Sequence, residues 1–256
     1  MRTPIRTAAL VTTAVSLALL VTACGGGKGE SGDKGKGTES APASSASSSA
    51  PAAEALSAAE LDKLIVETAD LKGHQVQKAK ADDIVSADKV TTDKAACAPI
   101  AHAMSFISPG SAAASAQRQV LEEPKKSATA SPEDALLNGL GVHITAVTLG
   151  SYDGQGAQEA FASVKKAGTE CAGGFTVVHA QEKTKVSEVE PVRVTAGDES
   201  VAFTVTSDME GRPFVSKLVV LRKGNALASF STITVASGGV KVLPTAVIDA
   251  QVKKLS

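Results

Sequence analysis

The chain has 256 residues, with 26 basic and 27 acidic side chains, no tryptophan, one tyrosine and six phenylalanines. So even a charge balance, with no basic stripe, removes any electrostatic reason to expect a nucleic-acid partner. The scarcity of aromatic faces argues against sugar-stacking platforms and aromatic ligand cages.

At the amino end Arg2 and Arg6 precede an apolar run that begins near Ala8 and closes in Leu19-Leu20-Val21-Thr22-Ala23-Cys24. Two cations, an apolar core of about fifteen residues and small residues at the cut form a secretory signal. The core is short for a membrane-spanning helix, which needs roughly 20 apolar residues. Cysteine at the cut resembles a bacterial lipobox, in which signal peptidase II cleaves before a cysteine whose sulfur carries a diacylglyceryl group. The expectation is a signal peptide over residues 1–23 and lipidation at Cys24, the alternatives being plain secretion or a retained span. Two acyl chains meet the requirement for stable anchoring that one chain does not. Cleavage also removes both arginines, taking the formal charge from −1 to −3.

Residues 24–56 are then the lipidated terminus and a Gly/Ser/Ala/Pro-rich linker that lacks the apolar surface to offset its ordering entropy. As a flexible coil of some thirty residues it spans roughly 30 Å. It serves either as a spacer through a cell wall or as a tail with no length requirement. Residues 57–256 remain as one extracytoplasmic domain, a comfortable size for one core.

Within that domain Ser57-Ala58-Ala59-Glu60 is a capping box. Leu61, Leu64, Ile65, Thr68 and Leu71 follow at helical spacing, which predicts a first helix over 57–70 ended by Gly73. A short strand is expected at 75–79. A second helix over 92–106 places Cys97, Ile100, Ala101 and Met104 on one face, with Pro99 in the first turn. Residues 116–122 read as a strand, 133–138 as a short helix, and 142–151 as a strand with a buried face. Asp153 is placed to cap a helix whose stripe runs through Ala157, Ala160, Phe161, Val164 and Gly168 to Cys171.

After Gly173-Gly174 the pattern turns to strands at 175–180, 186–194, 200–207, 214–222 and 227–235. Turns at Met209-Glu210-Gly211-Arg212 and Lys223-Gly224-Asn225 make neighbouring strands antiparallel. Pro244 opens a last helix with Val247, Ile248, Val252 and Leu255 inward. The fold class expected is α+β, a curved antiparallel sheet with helices packed on one face.

With Cys24 used by the anchor, Cys97 and Cys171 form an even pair in an oxidising setting, and a disulfide is expected between them. Closing about 75 residues is worth up to roughly 4.5 kcal/mol in the chain-entropy model. Two separate buried thiols are the alternative. No neighbouring residues have zinc-ligand spacing.

The helix carrying Cys97, the strand into Ser151, the helix from Gln158-Glu159-Ala160-Phe161 to Cys171, Gly197-Asp198-Glu199-Ser200 and Arg222-Lys223-Gly224-Asn225 together resemble the actinobacterial PknH-like extracellular domain over residues 61–255. That family includes the sensor domain of a mycobacterial receptor serine/threonine kinase and many lipoproteins of unassigned function. The resemblance implies an α+β sheet with a cleft and a ligand-sensing role. Its members commonly hold two disulfides, whereas this chain has cysteines for one.

Catalytic signatures are sparse. Ser163-Val164-Lys165-Lys166 has Ser-x-x-Lys spacing, but so has Ser86-Ala87-Asp88-Lys89, and the other parts of such a site do not follow. No nucleophile elbow, phosphate loop or dinucleotide fingerprint occurs. His74, His102, His143 and His179 are scattered, and Asp82-Asp83 and Glu122-Glu123 are adjacent carboxylates that do not face each other. The expectation is therefore a non-catalytic binding or sensing lipoprotein with no cofactor and no metal. Its partners are the membrane, through the lipid, and an unidentified small molecule or envelope component. A carrier of lipid or cell-wall material is the alternative, and an enzyme assembled from distant residues a third reading. Convergent histidines or a serine beside a base point to the enzyme, a dry cavity to the carrier and a shallow polar cleft to the sensor.

Overall fold

Leu218-Val219-Val220-Leu221 is an unbroken apolar run at the centre of the longest strand, and all four side chains are fully buried. Because successive strand residues point to opposite faces, such a run needs cover on both sides of the sheet. The computed structural model, which describes residues 54–80, 84–124, 142–234, 236 and 238–256, shows how that cover is provided.

The strands are β1 (His74–Lys78), β2 (Val90–Thr92), β3 (Ala114–Glu122), β4 (His143–Ser151), β5 (Phe175–His179), β6 (Glu182–Val192), β7 (Glu199–Met209), β8 (Arg212–Lys223) and β9 (Ala226–Thr234). They form one sheet in the order β1-β3-β4-β9-β8-β7-β6-β5-β2, with every pairing antiparallel. The described helices are α1 (Ala58–Leu64), α2 (Ala98–Met104), α3 (Gly156–Glu170) and α4 (Thr245–Lys254). The α+β class and the antiparallel sheet are those expected from the sequence.

The helices are not gathered on one face, and here the expectation is corrected. Leu218 and Val220 join Phe203 and Val205 under α2 and α3, whereas Val219 and Leu221 join Val147 and Phe230 under α1 and α4. The physical reason lies in β8: alternate residues that are all apolar leave no face for water.

Hairpin chemistry sets the register. Glu210 and Gly211 both take positive φ between β7 and β8, matching the strand twist, and the Gly211 N–H donates to Asp208 Oδ1 at 2.7 Å. β6 starts four residues earlier than the pattern indicates, because Ala180 and Gln181 form a second tight turn that pairs His179 with Glu182. The Glu-Lys-Thr-Lys segment that begins β6 covers no core, so it carries no apolar alternation.

The first helix is also shorter than expected. α1 ends at Leu64, Ile65 is extended at φ −80° and ψ 150°, and a 3-10 turn follows at Thr68–Asp70. The cause is tertiary. Gln251 of α4 accepts from the Val66 N–H at 3.0 Å and donates to the Leu64 carbonyl at 2.8 Å, supplying bonds the helix would otherwise make itself. The second predicted helix divides as well, into β2, a 3-10 turn at Ala95–Cys97, and α2. Asp153 does not cap α3, which has no side-chain cap; its Oδ1 instead accepts from the Ala55 N–H at 2.9 Å. Cys97 and Cys171 are joined in a disulfide that fastens the start of α2 to the end of α3. The short helix expected at 133–138, Cys24 and the linker up to residue 53 lie outside the described residues, whereas residues 54–56, expected as linker, are hydrogen-bonded to the body.

Candidate functional site

α3 lies close on β7 because Gly168 has no side chain. A Cβ there would sit 2.3 Å from Cε1 of Phe203. The ring therefore fills the space beneath the helix, and the flank of α3 that carries Lys165 and Thr169 is exposed. Opposite it, Pro191 pairs with Phe203 as β6 approaches its end, and the chain continues through Arg193. The result is a cleft of about 600 Å³ between α3 and the β6–β7 pair, within the size range of small-molecule sites. Phe203, Val201 and Pro191 contribute apolar lining, while Lys165 and Arg193 are exposed at the rim. Neither cation has a hydrogen-bond or ion-pair partner among the described residues.

Two segments singled out in the sequence, Gly197-Asp198-Glu199-Ser200 and Arg222-Lys223-Gly224-Asn225, meet beside this cleft, where they build a joint between strands. The Asp198 carboxylate accepts from the Gly224 N–H at 2.8 Å and from Lys223 Nζ at 3.0 Å, and Arg222 Nε donates to Glu199 at 2.7 Å. The Gly224 amide, with Lys223 and Arg222, holds the Asp198 carboxyl below its usual pKa. Gly197, at φ 61°, brings the backbone so near the Arg222 carbonyl that a Cβ would lie 2.5 Å from it. Ser200 completes the turn by accepting from the Ala196 N–H at 3.0 Å. These side chains thus fix the end wall of the cleft to the β8–β9 turn.

Two of the four scattered histidines converge elsewhere. His74 is the register partner of Glu122, and His143 Nδ1 lies 2.8 Å from Glu122 Oε2. They border a pocket of about 170 Å³ beside the first turn of α4, whose polar lining includes Thr145 and Thr232, bonded to each other at 2.9 Å. His102 instead faces the Val90 carbonyl, and His179 closes the β5–β6 turn. Among the described residues no group of three or more His, Cys, Asp or Glu side chains has metal-holding geometry.

The two Ser-x-x-Lys pairs take other partners. Ser163 donates to the Ala160 carbonyl at 2.7 Å, while Lys166 lies 3.4 Å from Glu170 and Lys89 3.2 Å from Asp88. A larger trough of about 1240 Å³ runs along the far hairpin turns, with Glu182, Lys183, Asp208, Glu210 and Lys241 among its walls. Turn residues hold a ligand less rigidly than a helix and paired strands do, so the α3/β6–β7 cleft is the better-built site. The signal for it in the sequence was slight: a glycine in a helical stripe and an aromatic residue in a strand.

The body is thus an α+β module with an open cleft set on regular elements. No protein-family model matches the chain, and no curated protein matches it in sequence. Among solved structures it is similar to the extracellular domain of PknH from Mycobacterium tuberculosis, with a TM-score of 0.46 and 11% identity over 79% of this chain and 97% of that one. Likeness of this degree does not define a family. Among the described residues no helix is long and apolar enough to cross a membrane.

Proposed function

We propose that the chain is an extracytoplasmic lipoprotein, anchored through lipid on Cys24, whose body binds a small molecule in the α3/β6–β7 cleft and performs no bond-making. The observation that carries the reading is the cleft itself: mixed lining, apolar on the paired strands and polar along α3, beside a wall locked by Asp198 and the β8–β9 turn. Its rim residues Lys165, Thr169 and Arg193 are exposed, which favours exchange of a ligand with the surroundings, as sensing requires. Delivery of lipid or cell-wall material is the second reading, favoured by the apolar lining.

The test is recovery of the native protein from membranes, followed by mass spectrometry of what it releases on denaturation. A small molecule held by the wild type and lost from Thr169→Trp, whose indole fills the cleft, supports the reading. Equal recovery from both, or from neither, counts against it. The same sample reports the anchor, through a terminal peptide that begins at Cys24 and carries the mass of acyl chains.

A further inference from the structure

The 27 acidic side chains of this protein slightly outnumber the 26 basic ones. Against that balance the α3/β6–β7 cleft is one-signed: Lys165 and Arg193 line it, and no Asp or Glu does. The cations come from separate elements, Lys165 from α3 and Arg193 from the chain just past β6. The nearby carboxylates of Asp198 and Glu199 are engaged with Gly224, Lys223 and Arg222. The same cleft is lined by apolar surface from Val201, Phe203 and Pro191. A ligand that satisfies both kinds of surface has an anionic head and a hydrocarbon body, because burying apolar area drives binding while a charge-assisted contact fixes the head.

Glu199 pairs with Arg222, Lys223 with Ala226, and Ala226 with Ser151, so the end of the cleft, the β8–β9 turn and the end of β4 share one end of the sheet. The chain that leads from the amino terminus joins the body at this same end. Asn225 donates to the Glu54 carbonyl at 2.8 Å, the Ala55 N–H to Asp153 at 2.9 Å, and the Leu56 N–H to Ser151 Oγ at 2.8 Å.

We infer that the cleft takes a single-chain anionic amphiphile, its acid group held by Lys165 and Arg193 and its hydrocarbon over Val201 and Phe203. The inference rests on the cleft being the ligand site, and it specifies what that site prefers.

Dansyl-undecanoic acid is the probe, titrated into the full chain and followed by the rise in dansyl emission as it leaves water. Saturable binding is expected, with the methyl ester of the probe and the acid on Lys165→Gln/Arg193→Gln each weakened about ten-fold. Both cations are exposed, so the double variant should keep the unfolding midpoint of the wild type. Absence of saturable binding by the wild type overturns the inference. So does ester binding as tight as acid binding, which removes the head-group claim yet leaves a hydrocarbon-binding cleft in place. Unchanged binding to Thr169→Trp places the probe elsewhere and overturns it as well. Failure of the cleft reading itself is distinguished by the membrane-recovery experiment, where the released molecule need not be an acid.

Discussion

Gln251 is wholly buried, and helical spacing puts it on the face of Val247 and Ile248, where its polarity alone sets it apart. Its amide bridges a backbone donor and a backbone acceptor at the point where α1 stops. Gln251→Leu would leave the Val66 N–H and the Leu64 carbonyl without partners. A loss of about 2–3 kcal/mol is expected, read from urea unfolding, and Gln251→Glu, which sets a buried carboxylate against the Leu64 carbonyl, should lose at least as much near neutrality.

Asp198 makes a different kind of prediction. Its folded pKa lies below the ordinary value of 3.8, so its contribution is complete above that value and disappears as pH falls through the lower folded one. The stability gap between wild type and Asp198→Asn should therefore be constant near neutrality and close in acid below about pH 4. The carboxylate is about a third exposed, which keeps the gap small. A gap that widens in acid contradicts the hydrogen-bonding scheme.

Among the elements, α3 carries the most. One stripe of Ala157, Phe161 and Val164 faces the core, Gly168 admits Phe203, and Cys171 ties the end of the helix to the start of α2. The bridge closes 74 residues of sequence separation. Cys97→Ala/Cys171→Ala should lose about 2–5 kcal/mol, measured by thermal unfolding, and the wild type in reductant should approach the variant. Equal stability of oxidised wild type and variant would show that the helices need no covalent link. α1 shows the opposite relation between sequence and element. Its capping box forms as written, with Ser57 accepting from the Glu60 N–H at 3.3 Å and Glu60 accepting from the Ser57 N–H at 2.8 Å. Its end is dictated from elsewhere, because Ile65 and Val66 are fully buried and Ile65 is extended where the helical stripe predicted another turn.

At the scale of the whole molecule, the sheet is shared by two cores. Val220 belongs to the core under α2 and α3, and Val219, its neighbour, to the core under α1 and α4. A strand common to both cannot leave one and remain in the other, so the described body should unfold in a single transition. Val219→Ala and Val220→Ala should each cost on the order of 2 kcal/mol. Emission from Tyr152, the only tyrosine and part of the first core, should change at the same urea concentration as amide exchange in α1 and α4 of the second. Separated midpoints would show two independent units.

What the chain determines by itself is local. Alternation placed β4 and β7, the Gly211 and Gly224 turns placed two hairpins, and the stripe ending in Cys171 placed α3, because period and turn handedness are properties of neighbouring residues. The tertiary structure decided which face each helix covers, where α1 ends, that His74 and His143 meet at Glu122, and that a cleft opens over Phe203. Those outcomes depend on partners far apart in sequence, such as β4 beside β9 and Gln251 against Leu64. They are set by the total burial and hydrogen bonding of the assembled sheet, which no short window of sequence contains.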